Sequence, residues 1–127
     1  MIVTRKEMLA GGPRATGGPG WRSTRMLVRD DGVGFSLNDT EVAAGAVMTL
    51  EYRHHVEANY VVAGTGSVED LATGEVHPLG PGTMYCLDRH DRHVLRVDAD
   101  APMRIVAVFS PALRGDEVHD GSGGYGA

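Results

Sequence analysis

The sequence predicts an all-β fold, a sandwich or small barrel with one short N-terminal helix at most. Three observations carry that expectation. Short apolar runs recur every eight to ten residues from Trp21 onward, where a helical protein would show longer segments with a period near 3.6. Eighteen glycines and six prolines fall between those runs instead of in one block, as turn punctuation does. Runs such as Val61 with Val62, or Ile105 to Val108, are continuously apolar and rich in β-branched residues, which suits strands covered on both faces.

In chain order, residues 5–9 are the one stretch with helical character. Residues 11–20 hold five glycines and two prolines with no Gly-Lys-Ser/Thr ending, so they read as a flexible surface loop and not as a phosphate-binding loop. Strands are expected at 24–29, 32–39, 46–52, 59–64, 66–71, 75–79, 83–88, 92–97 and 102–110, separated by DDG, AAG, GTG, ATG, GPG, RHD and DADA. The tail after Pro111 is polar and Gly-rich, but EVHD within it sets Glu117 and His119 two residues apart, which an ordinary tail has no need of.

At 127 residues the chain is expected to form a single domain spanning 1–127, and 42% apolar and 23% charged residues with a net charge of -5 describe a globular chain. Twelve scattered basic residues against seventeen acidic ones leave no surplus to neutralise phosphates, so nucleic acid is not an expected partner. No apolar run approaches the roughly 18 to 20 residues of a membrane span, and the N-terminus lacks the apolar stretch of a signal peptide. A membrane is therefore not expected either, and a cytoplasmic location is. The lone Cys86 agrees with a reducing compartment.

Residues 45–64 resemble the first signature of the cupins, a superfamily of small β-barrels. Gly45, Glu57 and Gly64 fall on its glycine, glutamate and glycine positions, while Glu51 and Arg53 stand where that signature has two histidines. Residues 74–85 resemble the second signature more loosely, with Gly82 as its last glycine, Pro81 one place off and Tyr85 at the histidine position. This resemblance implies a cupin-type barrel, a double-stranded β-helix or jelly roll, in which alternate strand residues converge on one cavity. A site built from Glu57 and Tyr85 needs a third donor, and His93 supplies it from the next strand. Carboxylate, phenolate and imidazole together favour iron or manganese, with zinc possible. His54 and His55 are adjacent and point to opposite faces, so at least one lies at the surface; His77 and His90 sit at turns and read as solvated.

A narrower resemblance runs through about nine tenths of the chain. The opening MIV, W-x-S-x-R at Trp21 to Arg25, DDGVGFSL, HHVEA, the stretch 64–93, VFSP, and GDEVHD followed by GGY are all similar to the ectoine synthase family. That family closes N-γ-acetyl-L-2,4-diaminobutyrate into ectoine with loss of water, in an iron-containing cupin barrel that is typically a homodimer, as part of compatible-solute biosynthesis under osmotic stress. The resemblance implies that Glu57, Tyr85 and His93 hold iron, most readily Fe2+. It also implies that Trp21, Arg25, Asn38, Thr40, Tyr52, Phe109, Glu117 and His119 line the pocket of a small zwitterionic substrate. Arg25 would pair with the substrate carboxylate, Trp21 and Phe109 would wall its carbons, and Glu117, His119 and Tyr52 would move protons. Departures at Ser110 to Ala112 and at His54 spare the implied ligands. Two other readings remain open at this point, a cupin enzyme acting on a different small zwitterion and a ligand-binding or sensory barrel without turnover.

Overall fold

A computed structural model describes every residue except Ser122 and Ala127. Among the described residues the chain forms a helical turn α1 (Lys6–Leu9), a 3-10 turn (Arg29–Asp31) and ten strands. The strands are β1 (Ala15–Gly18), β2 (Trp21–Leu27), β3 (Ser36–Val42), β4 (Val47–Leu50), β5 (Val56–Ala63), β6 (Gly66–Asp70), β7 (Val76–Leu79), β8 (Met84–Leu87), β9 (His93–Val97) and β10 (Met103–Ser110). They make a six-stranded sheet in the order β1-β2-β3-β10-β5-β8 and a four-stranded sheet in the order β4-β9-β6-β7. All pairings are antiparallel.

The expected all-β architecture is thus realised as two sheets sharing one core. Val61, Met103, Ile105 and Phe109 contribute from the first sheet, and Leu50, Val68, Leu95 and Val97 from the second. Strand alternation explains which residues go inward: along β10, Met103, Ile105, Ala107 and Phe109 are buried while Arg104 and Ser110 face out. Gly64, the last glycine of the first signature, has φ +84°, and a Cβ there would lie 2.5 Å from the Pro102 carbonyl oxygen. The turn out of β5 therefore admits no side chain.

Three boundaries depart from the sequence reading. Residues 11–20 are not wholly a loop, because β1 within them pairs with β2 from Ala15 opposite Thr24 to Gly18 opposite Trp21. A Cβ on Gly18 would lie 2.8 Å from the Trp21 indole nitrogen, so glycine there lets the backbone lie against that ring. Residues 32–35, expected in a strand, form a turn with Gly32 at φ +73° and Gly34 at φ +87°. Asp31 closes the 3-10 turn just before it, its carboxylate accepting from the Val28 amide at 2.9 Å and binding Arg14. Finally, β5 begins at Val56, three residues earlier than the strand expected at 59–64, and so takes Glu57 onto the strand.

The register places functional side chains in rows across the six-stranded sheet. Arg25 of β2 lies opposite Asn38 of β3, Asn38 opposite Ala107 of β10, Ala107 opposite Asn59 of β5, and Asn59 opposite Tyr85 of β8. In the next inward row Phe109 lies between Ser36 and Glu57. The tail beyond β10 returns over the open end of the sandwich, burying Leu113, Glu117 and Tyr125.

Candidate active site

Between the sheets is a narrow cavity of about 40 Å³. Val42, Leu50, Leu95 and Ile105 form its apolar wall. Of the eleven residues picked out from the sequence, eight line it: Trp21, Asn38, Thr40, Tyr52, Glu57, Tyr85, Phe109 and His119. Arg25, Glu117 and His93 do not.

Glu57 is 7% exposed, and burial raises its carboxyl to about 7 despite the Asn59 amide and the more distant Arg25 cation, which favour the ionised form. A carboxyl at that value changes protonation near neutrality, which sets it apart from the surface acids. Tyr85 stands on β8 with its phenol held protonated by burial and by Glu57. Its ring is T-shaped to that of His93, with centroids 6.5 Å apart.

His93 is 1% exposed, and its Nδ1 lies 2.8 Å from the Asp91 carbonyl oxygen. A carbonyl only accepts, so Nδ1 carries the proton and Nε2 presents its lone pair, which is buried and has no partner. Burial also holds the ring below its ordinary value, hence neutral. A neutral imidazole anchored through one nitrogen and bare at the other has the posture of a metal ligand. Together with a buried carboxyl and a phenol it makes a donor set that fits a hard or borderline divalent ion. Among the described residues no cluster of three His, Cys, Asp or Glu side chains is arranged for a metal, so any such site depends on the phenol. Tyr85 is the shared wall: Glu57 joins it in the central cavity, and His93 joins it in a cleft of about 510 Å³ that also touches Asp70, Asp88 and Asp91.

On the opposite side, Tyr52 Oη and His119 Nε2 are 2.8 Å apart. Burial keeps the Tyr52 phenol protonated, and it lowers His119 to about 4, with Arg25 adding to the effect. Both partners are neutral at pH 7. Trp21 packs on His119 at 4.8 Å between centroids, and Phe109 meets Tyr52 edge-on at 5.2 Å.

Arg25 and Glu117 are also engaged with the returning tail, although Arg25 Nη1 is buried without a hydrogen-bond partner. Arg25 is fully buried behind the cavity wall, donating from Nε to Ser23 Oγ at 3.1 Å and from Nη2 to the Glu117 carbonyl oxygen at 2.9 Å. Its Nη1 lies 3.6 Å from Glu117 Oε1, and its guanidinium lies 5.5 Å from the Tyr125 ring centre. The Glu117 carboxylate accepts from the Arg114 and Gly115 amides at 2.7 and 2.8 Å, bonds that help hold its carboxyl below the usual range against the cost of burial. In this arrangement Arg25 anchors the returning tail, and Glu117 caps a turn within it. Of the paired histidines, His54 is exposed and His55 is buried against Phe109. His77 is exposed as expected; His90 is exposed but donates from Nδ1 to the Tyr52 carbonyl oxygen at 2.7 Å.

Two cavity residues escaped the sequence reading. Asn59 is 3% exposed, and its signal was its place two residues after Glu57, hence on the same strand face. Tyr125 stacks on His119 at 4.8 Å and 12°, and its signal was an aromatic in a glycine-rich tail.

A family model described as ectoine synthase matches residues 1–127. The L-ectoine synthase of Mycolicibacterium vanbaalenii is 48% identical over 127 residues, covering 100% of this chain and 96% of the relative. The crystal structure of ectoine synthase from P. lautus superimposes with a TM-score of 0.88 at 44% identity, covering 97% of this chain and 87% of that one. An RmlC-like cupin from Shewanella frigidimarina, 21% identical with a TM-score of 0.61 over 76% of this chain and 81% of its own, shares the fold.

Proposed function

The chain belongs to the ectoine synthase family, and on that premise we propose that its cavity closes N-γ-acetyl-L-2,4-diaminobutyrate into ectoine and water, a hydro-lyase reaction within a cupin fold. The observation that carries this reading is the convergence of Trp21, Asn38, Thr40, Tyr52, Phe109 and His119 on the same cavity as Glu57 and Tyr85. A small zwitterion meets aromatic walls there, with few but well-placed polar groups between them.

The chemistry asks the α-nitrogen to attack the acetyl carbon and the acetyl oxygen to leave as water. Of the three hydrogens on the α-ammonium, two depart with that oxygen and one stays on the ring, which keeps the positive charge. His119 is neutral at pH 7 and takes the proton that frees the amine lone pair; Tyr52, hydrogen-bonded to it, gives a proton to the departing oxygen. Asn38 offers a buried carbonyl oxygen without a partner, an acceptor for the ammonium before it is deprotonated. The surrounding apolar wall limits the water that would reverse the dehydration. Glu117, committed to two backbone amides, is not the base in this scheme.

Glu57, Tyr85 and His93 would hold an iron ion, with manganese or zinc as substitutes, and the bound metal would supply Lewis acidity or substrate orientation. The support is the bare, buried Nε2 of His93 and the oxygen-rich donor set. We further infer a cytoplasmic homodimer that makes a compatible solute. No helix of the described residues is long and apolar enough to cross a membrane. Strands β5 and β8 expose Tyr60, Val62 and Met84 side by side, an apolar face suited to a second copy.

The test is proton NMR of iron-loaded protein with synthetic N-γ-acetyl-diaminobutyrate. Disappearance of the acetyl methyl signal with growth of the ring methyl of ectoine is expected. A protein that only shifts its melting temperature with the compound would be a binding barrel, and one that does neither would have another ligand.

A further inference from the structure

We propose that Asn59 is a catalytic residue of this reaction, its side-chain amide donating a hydrogen bond to the acetyl oxygen of the substrate; this rests on the reaction proposed above. Asn59 lines the cavity, is 3% exposed, and its Nδ2 has no hydrogen-bond partner. A buried donor without a partner destabilises a fold, so a chain that keeps one at the floor of a ligand cavity has a use for it. Glu57, two residues earlier on the same face, is near enough to feel the amide but is not closed into a hydrogen bond of normal length with it. The donor stays available to a third party.

Its place in the sheet says which atom that party presents. Asn38 and Asn59 flank Ala107 in one row, two strand spacings apart, about 10 Å between backbones. Only the methyl of Ala107 stands between them. Asn38 carries a bare acceptor, Oδ1, and Asn59 a bare donor, Nδ2, both buried. The substrate has the complementary sequence of groups: an α-ammonium to donate, two methylenes, and an amide whose oxygen accepts. Curled so that its α-nitrogen lies about 3 to 3.5 Å from the acetyl carbon, the substrate sits over Ala107 with its ammonium turned to the Asn38 side and its acetyl oxygen to the Asn59 side, each amide reaching in from its own strand. The carboxylate then lies toward the Arg25 end and the acetyl group toward Tyr85.

The hydrogen bond strengthens as the reaction proceeds. When the α-nitrogen bonds to the acetyl carbon, the carbonyl π pair moves onto oxygen, and a fixed neutral donor is aimed at the charge that develops. Two protons from the former ammonium complete the departing water as the carbon–nitrogen double bond forms. Asn59 neither gains nor loses a proton.

The experiment compares wild type with Asn59→Leu, of similar volume, and Asn59→Val, which suits a strand. For both variants kcat is expected to fall about 100-fold or more with KM changed less than threefold, since the donor acts on charge absent from the ground state. Melting temperature should hold or rise, because a buried unpaired amide has been removed. A merely structural Asn59 would give the reverse pattern, a lowered melting temperature with kcat per folded molecule unchanged, and that result would overturn the proposal. So would kcat within threefold of wild type in either folded variant. A wild type that makes no ectoine would instead remove the reaction on which the proposal stands.

Discussion

Tyr52 Oη and His119 Nε2 lie 2.8 Å apart and join the loop between β4 and β5 to the returning tail. Burial keeps His119 neutral by lowering the ring from about 6.5 to about 4. As pH falls through that window the unfolded chain gains a proton that folded His119 refuses, so its contribution to stability drains away. Glu57 acts with the opposite sign, because its folded carboxyl, raised to about 7, holds a proton that the unfolded chain releases above about 4.5. His119→Gln should therefore gain stability relative to wild type at pH 5 compared with pH 7.5, by about 1 to 2 kcal/mol after allowance for the partial exposure of the ring. Glu57→Gln should shift the other way. Urea midpoints at the two pH values check both signs, and identical pH dependence in all three proteins would show that neither group is perturbed.

Nine of the ten strands and their spacing were legible in the sequence because turn glycines and β-branched runs act locally. Six of the cavity's aromatic and polar residues were reached through the narrower family resemblance, and Glu57 and Tyr85 through the resemblance to the cupin signatures as well. Other features depended on nonlocal register. Nothing in the local sequence says that Ala15–Gly18 pairs with β2, nor that Arg25 ends up behind the wall with the tail wrapped on it. Asn59 shows the same limit: its neighbours Ala107 and Tyr85 lie 48 and 26 positions further along the chain, and only the sheet joins them.

Arg25 is expected to be a stability residue first. The family resemblance implies that Arg25 pairs with the substrate carboxylate; full burial with bonds to Ser23 and the Glu117 carbonyl adds a cost to folding that Arg25→Ala should show first. Removing the guanidinium leaves the Glu117 carboxylate buried beside a void, at a cost of about 3 to 5 kcal/mol. Chemical denaturation measures this directly. A variant that melts like wild type while losing substrate affinity would restore the sequence reading.

The exposed row of Tyr60, Val62 and Met84 predicts the assembly. Tyr60 and Met84 are cross-strand partners near the outer edge of the six-stranded sheet, and a charge placed there should be tolerated by the fold but not by a partner copy. Sedimentation should give twice 13.5 kDa for the wild type and 13.5 kDa for Met84→Glu at micromolar concentration. A dimeric Met84→Glu would move the interface elsewhere, and a monomeric wild type would end the inference.

Tyr85 offers the sharpest separation between a metal site and an ordinary core. Its ring packs against the cluster that includes Val61 and Leu87, so Tyr85→Phe keeps nearly all of its packing and deletes one oxygen. Burial holds that phenol protonated, and among the groups facing it only a bound cation would stabilise the phenolate. If Tyr85 is a ligand, the variant should fold with a change of no more than about 1.5 kcal/mol yet retain much less iron after loading. If it is a wall residue, iron content stays at wild type. Glu51→Ala is the matched control, because Glu51 occupies one of the histidine positions of the cupin signature but is half-buried at the rim, paired with Arg53 at 3.2 Å and Arg92 at 3.9 Å. Such rim pairs contribute about 0 to 1 kcal/mol, so its removal should leave both fold and iron in place. Elemental analysis of the two variants after identical loading decides between the sets: iron lost from Tyr85→Phe and kept in Glu51→Ala supports Glu57, Tyr85 and His93, and the opposite pair of results would return the metal to the usual histidine positions of the signature.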